Sequence, residues 1–337
     1  MTVRDELERL EHLQLNPRAA FSDESLGRNR DEVESDLDVR TCYQRDTDRI
    51  IHCKAFRRLM HKTQVFLRPE GDHYRTRMTH TIEVSRIGRT IARALNLNQD
   101  LTEAIAMGHD LGHTPFGHAG EAALSMCLGE EFCHNAQSLR VVDLLENNGN
   151  GLNLTYEVRM GILGHTGSFV PETLEGQIVR ISDRIAYVNH DIDDAIRAGI
   201  LSGDEIPKSV SDVLGNNHSQ RINTLVCDII TASQDCEQIM LSPKVEQALL
   251  ELREFLFERV YRNPVAKGEE SKAKEMLHRL YDYYYAHPEA LPADFQPQLS
   301  FDGMGRTVCD YIAGMTDKYA VDKFTELFTP QGWQIRG

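Results

Sequence analysis

No stretch of this 337-residue chain approaches the roughly 18 consecutive apolar residues that a membrane-spanning helix needs. Its first residues, Met1 to Glu6, are polar and acidic, so a cytoplasmic location is expected. There is no C-x-x-C pair: the seven cysteines, at 42, 53, 127, 133, 227, 236 and 309, are scattered and odd in number. That pattern argues against a disulfide framework and for reduced, mostly buried thiols. Positive charge is short as well, with 37 Lys and Arg against 52 Asp and Glu, a net charge of −15. Such a chain is not expected to bind long nucleic acid. A period-2 run long enough to demand a sheet is missing, and so is any internal repeat. What is left is helical periodicity, and the expected fold class is all-α.

The clearest helix runs from Glu175 to Ala198. Ile178, Ile181, Ile185, Val188, Ile192 and Ile196 recur at spacings of three and four, a stripe expected to be core along its length. Asp183, Tyr187 and Asp191 fall at i, i+4 and i+8 on nearly the opposite face. A solvated face would favour lysine and glutamate, so this face is read as the wall of a polar pocket. Other helices are expected over Arg4 to Leu13, from Asp46 along Ile50, Ile51, Ala55 and Leu59, and over Thr79 to Leu95. The capping signature Asp100 to Glu103 opens a helix that runs into His109-Asp110 and is ended by Gly112 and Pro115. Another reaches about Leu128, and Asn135 is expected to cap one along Leu139, Val142 and Leu145. Further helices are expected over 219–235, 243–262, 269–286 and 306–329. Residues 66–76 and 201–218 read as loops, His73 and Arg75 reaching inward from the first.

Chemistry concentrates before that long helix. Seven of the fourteen histidines lie between 73 and 165, among the glycines around His109-Asp110-Leu111-Gly112-His113 and Phe116-Gly117-His118-Ala119-Gly120-Glu121. Adjacent residues on a helix point about 100° apart, so His109 and Asp110 meet one ion only at a helix end, with other helices supplying further ligands. His80, His109, Asp110 and Asp183 make such a set from three helices. Two neutral imidazoles and two carboxylates carry −2, which one divalent cation offsets. Mixed nitrogen and oxygen donors suit Mn²⁺, Mg²⁺, Fe²⁺, Co²⁺ or Ni²⁺, one per site, better than a closed zinc site. Places left open for water and a substrate oxygen make a hydrolase arrangement. Upstream, Arg57, Arg58, Lys62, Arg68, Arg75, Arg77, Arg86 and Arg89 crowd together. This stretch fits a pocket for a phosphorylated small molecule, or equally a solvated basic face. His190 and Asp194 read as solvated or supporting residues rather than ligands.

The order His80, His109-Asp110, Asp183 resembles the H…HD…D signature of the HD-domain metal phosphohydrolases. Three longer runs, Phe56 to Phe66, His109 to Glu121 and Val308 to Asp317, resemble the deoxynucleoside triphosphate triphosphohydrolases, the dGTPase family, and the similarity extends from about Tyr43 to about Tyr319. The resemblance implies an HD-domain helical fold with additional C-terminal helices: an arm over 1–42, a catalytic core over 43–200, and a helical region over 201–337 packed on it as one compact unit. It implies hydrolysis of deoxynucleoside triphosphates between O5′ and the α-phosphorus, releasing deoxynucleoside and tripolyphosphate. His118 would protonate the departing O5′, Glu121 would orient and charge that imidazole, and His134 would contact the α-phosphate. Arg77 and Arg184 match phosphate contacts, with His113 nearby and Arg58 also on the substrate side. Gln64 resembles a residue touching the sugar 3′-OH, Tyr187 packs under the deoxyribose and excludes a 2′-OH, Asp191 bonds the 3′-OH, and Tyr261 matches a base or sugar contact. A homo-oligomer, hexamer or tetramer, is implied too. Asp310, Tyr311 and Asp317 fit packing or subunit contact as well as catalysis. A nucleotidase or phosphodiesterase of the wider HD group, and a dNTP-binding sensor without turnover, stay open as alternatives.

Overall fold

The computed structural model describes residues 2–32, 35, 38–64, 75–235, 237–262 and 264–330, with backbone alone at 264–267. The chain is all-α: among the described residues there is no strand, only isolated bridges between Arg28 and Thr155 and between Thr63 and Thr76. No described helix is long and apolar enough to cross a membrane.

Helix α1 (Val3–Gln14) opens on a capping box between Thr2 and Asp5. One helix was expected from Asp46 to Leu59, but α2 (Cys42–His52) and α3 (Lys54–Arg58) are separate because Cys53 is extended. The Glu146 carboxylate accepts from the backbone N–H of Lys54 and Ala55 at that break. Then come α4 (Arg77–Ala94), α5 (Gln99–Gly108), α6 (His118–Leu128) and α7 (His134–Arg140). The cap of α5 is Asn98, which accepts from Asp100 and Leu101, two residues ahead of the start of the expected signature. Nor does Asn135 cap α7; its amide donates to Leu163 O at 2.8 Å. A π turn (Val141–Leu145) leads to the short α8 (Glu146–Gly149), broken by Asn147 and Asn148 at positive φ. Helix α9 (Tyr156–Gly164) was not expected, although Val158 and Ile162 stand four apart and are fully buried. The long α10 (Leu174–Arg197) follows, and α11 (Lys208–Leu214) forms inside the stretch read as a loop. Next are α12 (His218–Ser233), α13 (Pro243–Leu256) with a π turn to Tyr261, and α14 (Pro264–Ala286). The last expected helix is two, α15 (Met304–Ala313) and α16 (Asp317–Phe328), because Thr316 starts a new cap.

Two apolar clusters organise these helices. The larger surrounds α10, which packs on α4, α5 and α9, and it also takes in Leu225, Ile229, Leu249, Leu252 and Leu256 from α12 and α13. Ile178, Ile185, Val188 and Ile192 are fully buried, yet Ile196, in the last turn of α10, is 42% exposed, so the stripe stops being core there. The smaller cluster gathers Leu124, Leu277, Leu280, Val308, Ile312 and Ala320 from α6, α14, α15 and α16. Two buried polar side chains stitch the clusters together. Lys62 donates through Nζ to the carbonyls of His113 and Ala313. Asp317 accepts from Phe116 N at 3.0 Å and from Thr63 N and Oγ1 at 3.0 and 2.6 Å.

Glu175, fully buried at the start of α10, ties the N-terminal segment to the core: Oε1 accepts from Ala20 N and Asn98 N, while Oε2 has no partner. Burial pushes its carboxyl up to about 6, above the ordinary 4.5. The native state therefore holds this proton more tightly than the unfolded chain, and stability falls as pH rises from 4.5 to 6. The loss is about 2 kcal/mol at about 1.4 kcal/mol per unit. Glu175→Gln should remove that slope and leave the protein about 1–2 kcal/mol more stable than wild type at pH 7, read by urea unfolding at pH 4.5 and 7. Parallel pH profiles for the two proteins would contradict it.

Candidate metal centre and active site

Three helices of the larger cluster aim at one point. His80 stands in the first turn of α4, His109 and Asp110 directly follow α5, and Asp183 is near the middle of α10. The chain can turn sharply after Asp110 only because Gly112 lies against α7, where a Cβ would sit 2.1 Å from Ser138 N. Asp183 Oδ1 is 3.0 Å from His80 Nε2 and 3.8 Å from His109 Nε2, and Asp110 Oδ1 is 3.7 Å from His109 Nε2. One ligand atom each from His80, His109 and Asp110 lies within 4.8 Å of the others.

The donor set fits a divalent ion on its own chemistry. His109 gives its Nδ1–H to Ala106 O at 2.6 Å, which leaves a lone pair on Nε2. That Nε2 is buried and has no hydrogen-bond partner among the described residues, an arrangement that costs free energy unless something accepts the lone pair. Both carboxylates stay ionised despite burial. Burial pushes Asp110 up, but His109 and Arg77 outweigh it and hold it well below the usual range. Burial likewise opposes Asp183, which the hydrogen bond from His80 and the charge of His109 bring down to about 2. Arg77 meets Asp110 Oδ2 through Nη1 at 2.9 Å, and its own Nε is buried without a partner among the described residues.

Beside this centre lie four more imidazoles. His134 opens α7, and its Nδ1 is 2.7 Å from Glu121 Oε1, which also accepts from the His134 backbone N–H at 3.0 Å. Its Nε2 lies 3.1 Å from Nε2 of His165, just past the end of α9. His165 spends its own Nδ1–H on Ile162 O, and burial lowers it to about 3. It is therefore neutral and offers a lone pair. With a carboxylate on one nitrogen and a lone pair on the other, His134 donates from both. Burial lowers its pKa, but the bond and charge of Glu121 win and hold it above its ordinary value. His113 stacks on His134 at 4.2 Å and is kept neutral, well below its usual pKa, by burial and by Arg77. His118 is exposed at the start of α6, its ring 6.0 Å from that of His113.

These positions revise several expectations. Glu121 is engaged with His134, not His118: one turn into α6, its carboxylate faces the first residue of α7 and takes both backbone and ring N–H. Arg58 does not join the ligand cluster. It lines a separate cleft with Lys54, Gln137, Glu146, Gln298 and Asp310, its Nη1 within 2.9 Å of where a Cβ on Gly314 would stand. Asp310 is buried and bonded to Gln137, Arg140 and Arg306, so it and Asp317 hold packing together. His190 and Asp194 are buried rather than solvated. Tyr187, half-buried, lies between Asp183 and Asp191 on α10, and Arg184 is half-buried beside them. Tyr261 comes from the π turn after α13 and gives its hydroxyl to Asp191 Oδ2, whose Oδ1 has no partner. Burial, with Asp194 nearby, raises Asp191 well above the usual range. Gln64 is half-buried with Oε1 unpartnered among the described residues; His73 lies outside them. The residues not anticipated are His165 and Glu83. His165 was legible as the polar end of the Val158–Ile162 helix.

Comparison with known proteins accords with this geometry. The HD domain matches residues 77–188, and the Phosphohydrolase-associated domain matches 239–326. The chain is 55% identical to the deoxyguanosinetriphosphate triphosphohydrolase-like protein of Caldanaerobacter subterraneus subsp. tengcongensis, over 99% of this chain and 98% of that one. It is 48% identical to the protein of the same name from Clostridium perfringens strain 13, over 98% and 99%. A solved phosphohydrolase of Bacteroides thetaiotaomicron shares the fold, with a TM-score of 0.52 at 16% identity over 84% of this chain and 68% of that one.

If Asp183 is a ligand, Asp183→Ala loses stoichiometric Mn²⁺ binding. Equilibrium dialysis followed by metal analysis checks this, and a retained one-to-one complex would take Asp183 out of the set.

Proposed function

The chain belongs to the deoxyguanosinetriphosphate triphosphohydrolase-like family of HD-domain phosphohydrolases, and from that premise we propose that it hydrolyses deoxynucleoside triphosphates, dGTP among them, to deoxynucleoside and tripolyphosphate. The observation that carries this beyond a general phosphohydrolase is the pairing along α10. The ligand candidate Asp183 lies eight residues, about 12 Å of helix, before Asp191, a buried carboxyl capped by a tyrosine hydroxyl. One end suits an ion and phosphate; the other suits a sugar hydroxyl.

His80, His109, Asp110 and Asp183 would hold one divalent ion, which when bound supplies Lewis acidity toward a phosphoryl oxygen and acidifies water. Mn²⁺, Mg²⁺, Fe²⁺, Co²⁺ and Ni²⁺ all suit these donors. Arg77 fixes the Asp110 carboxylate and presents its unpartnered Nε–H toward a phosphate oxygen. His134, with its two ring N–H groups given to Glu121 and His165, sets a fixed positive charge beside the α-phosphate. Exposed His118 reaches substrate from the rim and protonates the departing O5′, with neutral His113 between the two. Arg184 contributes a further phosphate contact. Tyr187 packs under the deoxyribose and leaves no room for a 2′-OH, while Asp191, Tyr261 and Gln64 receive the 3′-OH and base side. A cytoplasmic homo-oligomer is the form in which the family reading places this activity.

Incubation with dGTP and Mn²⁺, followed by chromatography and ³¹P NMR, is expected to give deoxyguanosine and tripolyphosphate. Orthophosphate, pyrophosphate or dGMP would point to a nucleotidase or phosphodiesterase of the wider HD group. Tight binding of all four dNTPs without product would point to a sensor. His118→Ala should keep Mn²⁺ and nucleotide binding and lose about 10²-fold in turnover, the scale of positioned acid catalysis. Near-normal turnover in that variant would leave His134 as the proton donor.

A further inference from the structure

The two histidines of the ligand set are held from behind in different ways. His109 gives its Nδ1–H to the Ala106 carbonyl. Among the described residues no backbone carbonyl takes the corresponding nitrogen of His80. Its Nε2 faces Asp183 Oδ1 at 3.0 Å, and its Nδ1 lies 3.4 Å from Nδ1 of His190. The rings meet edge to face, with centroids 5.5 Å apart and planes at 85°. His190 is buried on α10, seven residues after Asp183, and its Nε2 contacts Oε2 of Glu83, which stands on α4 one turn after His80. Carboxylate, imidazole and imidazole thus follow one another behind the ion position.

In the protein alone His80 Nε2 meets Asp183 Oδ1 as a donor; with a divalent ion at the site it must turn a lone pair to the ion, and one placement of protons then satisfies the other two contacts. Ionised Glu83 is an acceptor, so His190 carries its proton on Nε2 and keeps a lone pair on Nδ1. That lone pair accepts the Nδ1–H of His80, which leaves the lone pair of His80 on Nε2, facing the ion position. The opposite tautomer of His190 would set two lone pairs against each other at Glu83 and two protons against each other at His80. Arg75 holds the far side of Glu83, with Nε 3.7 Å from Oε1, and is itself held by Asp193 and Asp194. His218 stacks on His190 and bonds Asp193.

We propose that Glu83 and His190 are positioning residues that fix the tautomer and aim of His80 and so set how tightly the site holds its divalent ion. This rests on the ion reading of the His80, His109, Asp110 and Asp183 cluster. Neither residue touches substrate, and neither ligates.

The test uses full-length, chelator-stripped protein and Mn²⁺ alone, with free Mn²⁺ read by electron paramagnetic resonance. His190→Phe fills the space without an acceptor and should weaken Mn²⁺ binding by about 10- to 100-fold, the usual effect of losing such a partner. His190→Asn, whose Oδ1 stands near the place of the lost Nδ1, should recover most of that affinity. Glu83→Gln, at a half-exposed position, should weaken binding less than His190→Phe. Thermal unfolding of each metal-free variant reports the fold, and if His190→Phe does not fold, Glu83→Gln decides. The proposal is overturned if the folded variants bind Mn²⁺ within about twofold of wild type, or if the Asn and Phe variants lose affinity equally. Wild type that binds no Mn²⁺ would overturn the ion reading as well; normal wild-type binding with unaffected variants would overturn only the role of Glu83 and His190.

Discussion

Everything at the centre of this molecule follows from placing Asp110 and Asp183 together away from water. Each ionised carboxylate loses several kcal/mol of solvation on burial, and the two repel one another. The protein supplies one permanent counter-charge, the Arg77 guanidinium against Asp110. Among the described residues no second guanidinium or ammonium pairs with either carboxylate. His113 and His165 are kept neutral by burial, and the proton on His134 is matched to Glu121. The cluster is thus left short of positive charge at the very place where His109 Nε2 has no hydrogen-bond partner among the described residues. A divalent cation answers both deficits at once.

The rest of the architecture keeps that point open. Helix α5 stops at Gly108, and Gly112 lets the following turn lie against the backbone of α7. The loop that carries His113 to Gly117 is then fastened from outside the larger cluster, by Lys62 on the His113 carbonyl and by Asp317 on Phe116 N. Asp317 and Ala313, the second acceptor of Lys62, belong to helices of the smaller cluster. The C-terminal helices therefore support the wall of the site without contributing a ligand. Asp310, which could have been taken for a catalytic carboxylate, is consumed by Arg140, Arg306 and Gln137.

Long-range periodicity was the readable part of the sequence. The isoleucine stripe of α10 and the polar face opposite it were visible because both obey the helical repeat, the first over about five turns and the second over about two. The four ligand-type residues stood out because histidine and aspartate side by side are a poor choice for packing alone. Local competition was harder to read. The break at Cys53 depends on Glu146, far along the chain, capturing two backbone N–H groups. The true cap of α5 is one of two asparagines in a turn, and α11 is a seven-residue helix whose signal the surrounding glycines and prolines mask. Pairings were hardest of all. Glu121 is three residues after His118, so helical spacing suggests that partner, yet α7 brings His134 closer. Spacing within one helix cannot report what the next helix presents.

Helix α10 shows how one element can set two carboxyls in opposed environments. Asp183 and Asp191 share a face two turns apart, and both are buried carboxyls. Asp183 is brought down to about 2 because His80 and His109 surround it. Asp191 is driven the other way by burial and by Asp194, and a tyrosine hydroxyl meets it in place of a cation. Environments that push two like groups in opposite directions assign them different work. An ionised carboxylate can hold a metal; one whose environment disfavours its charge competes less well for the ion. The same face of one helix thus holds two carboxyls in opposed settings, burial and Asp194 outweighing Arg77 and Arg75 at Asp191.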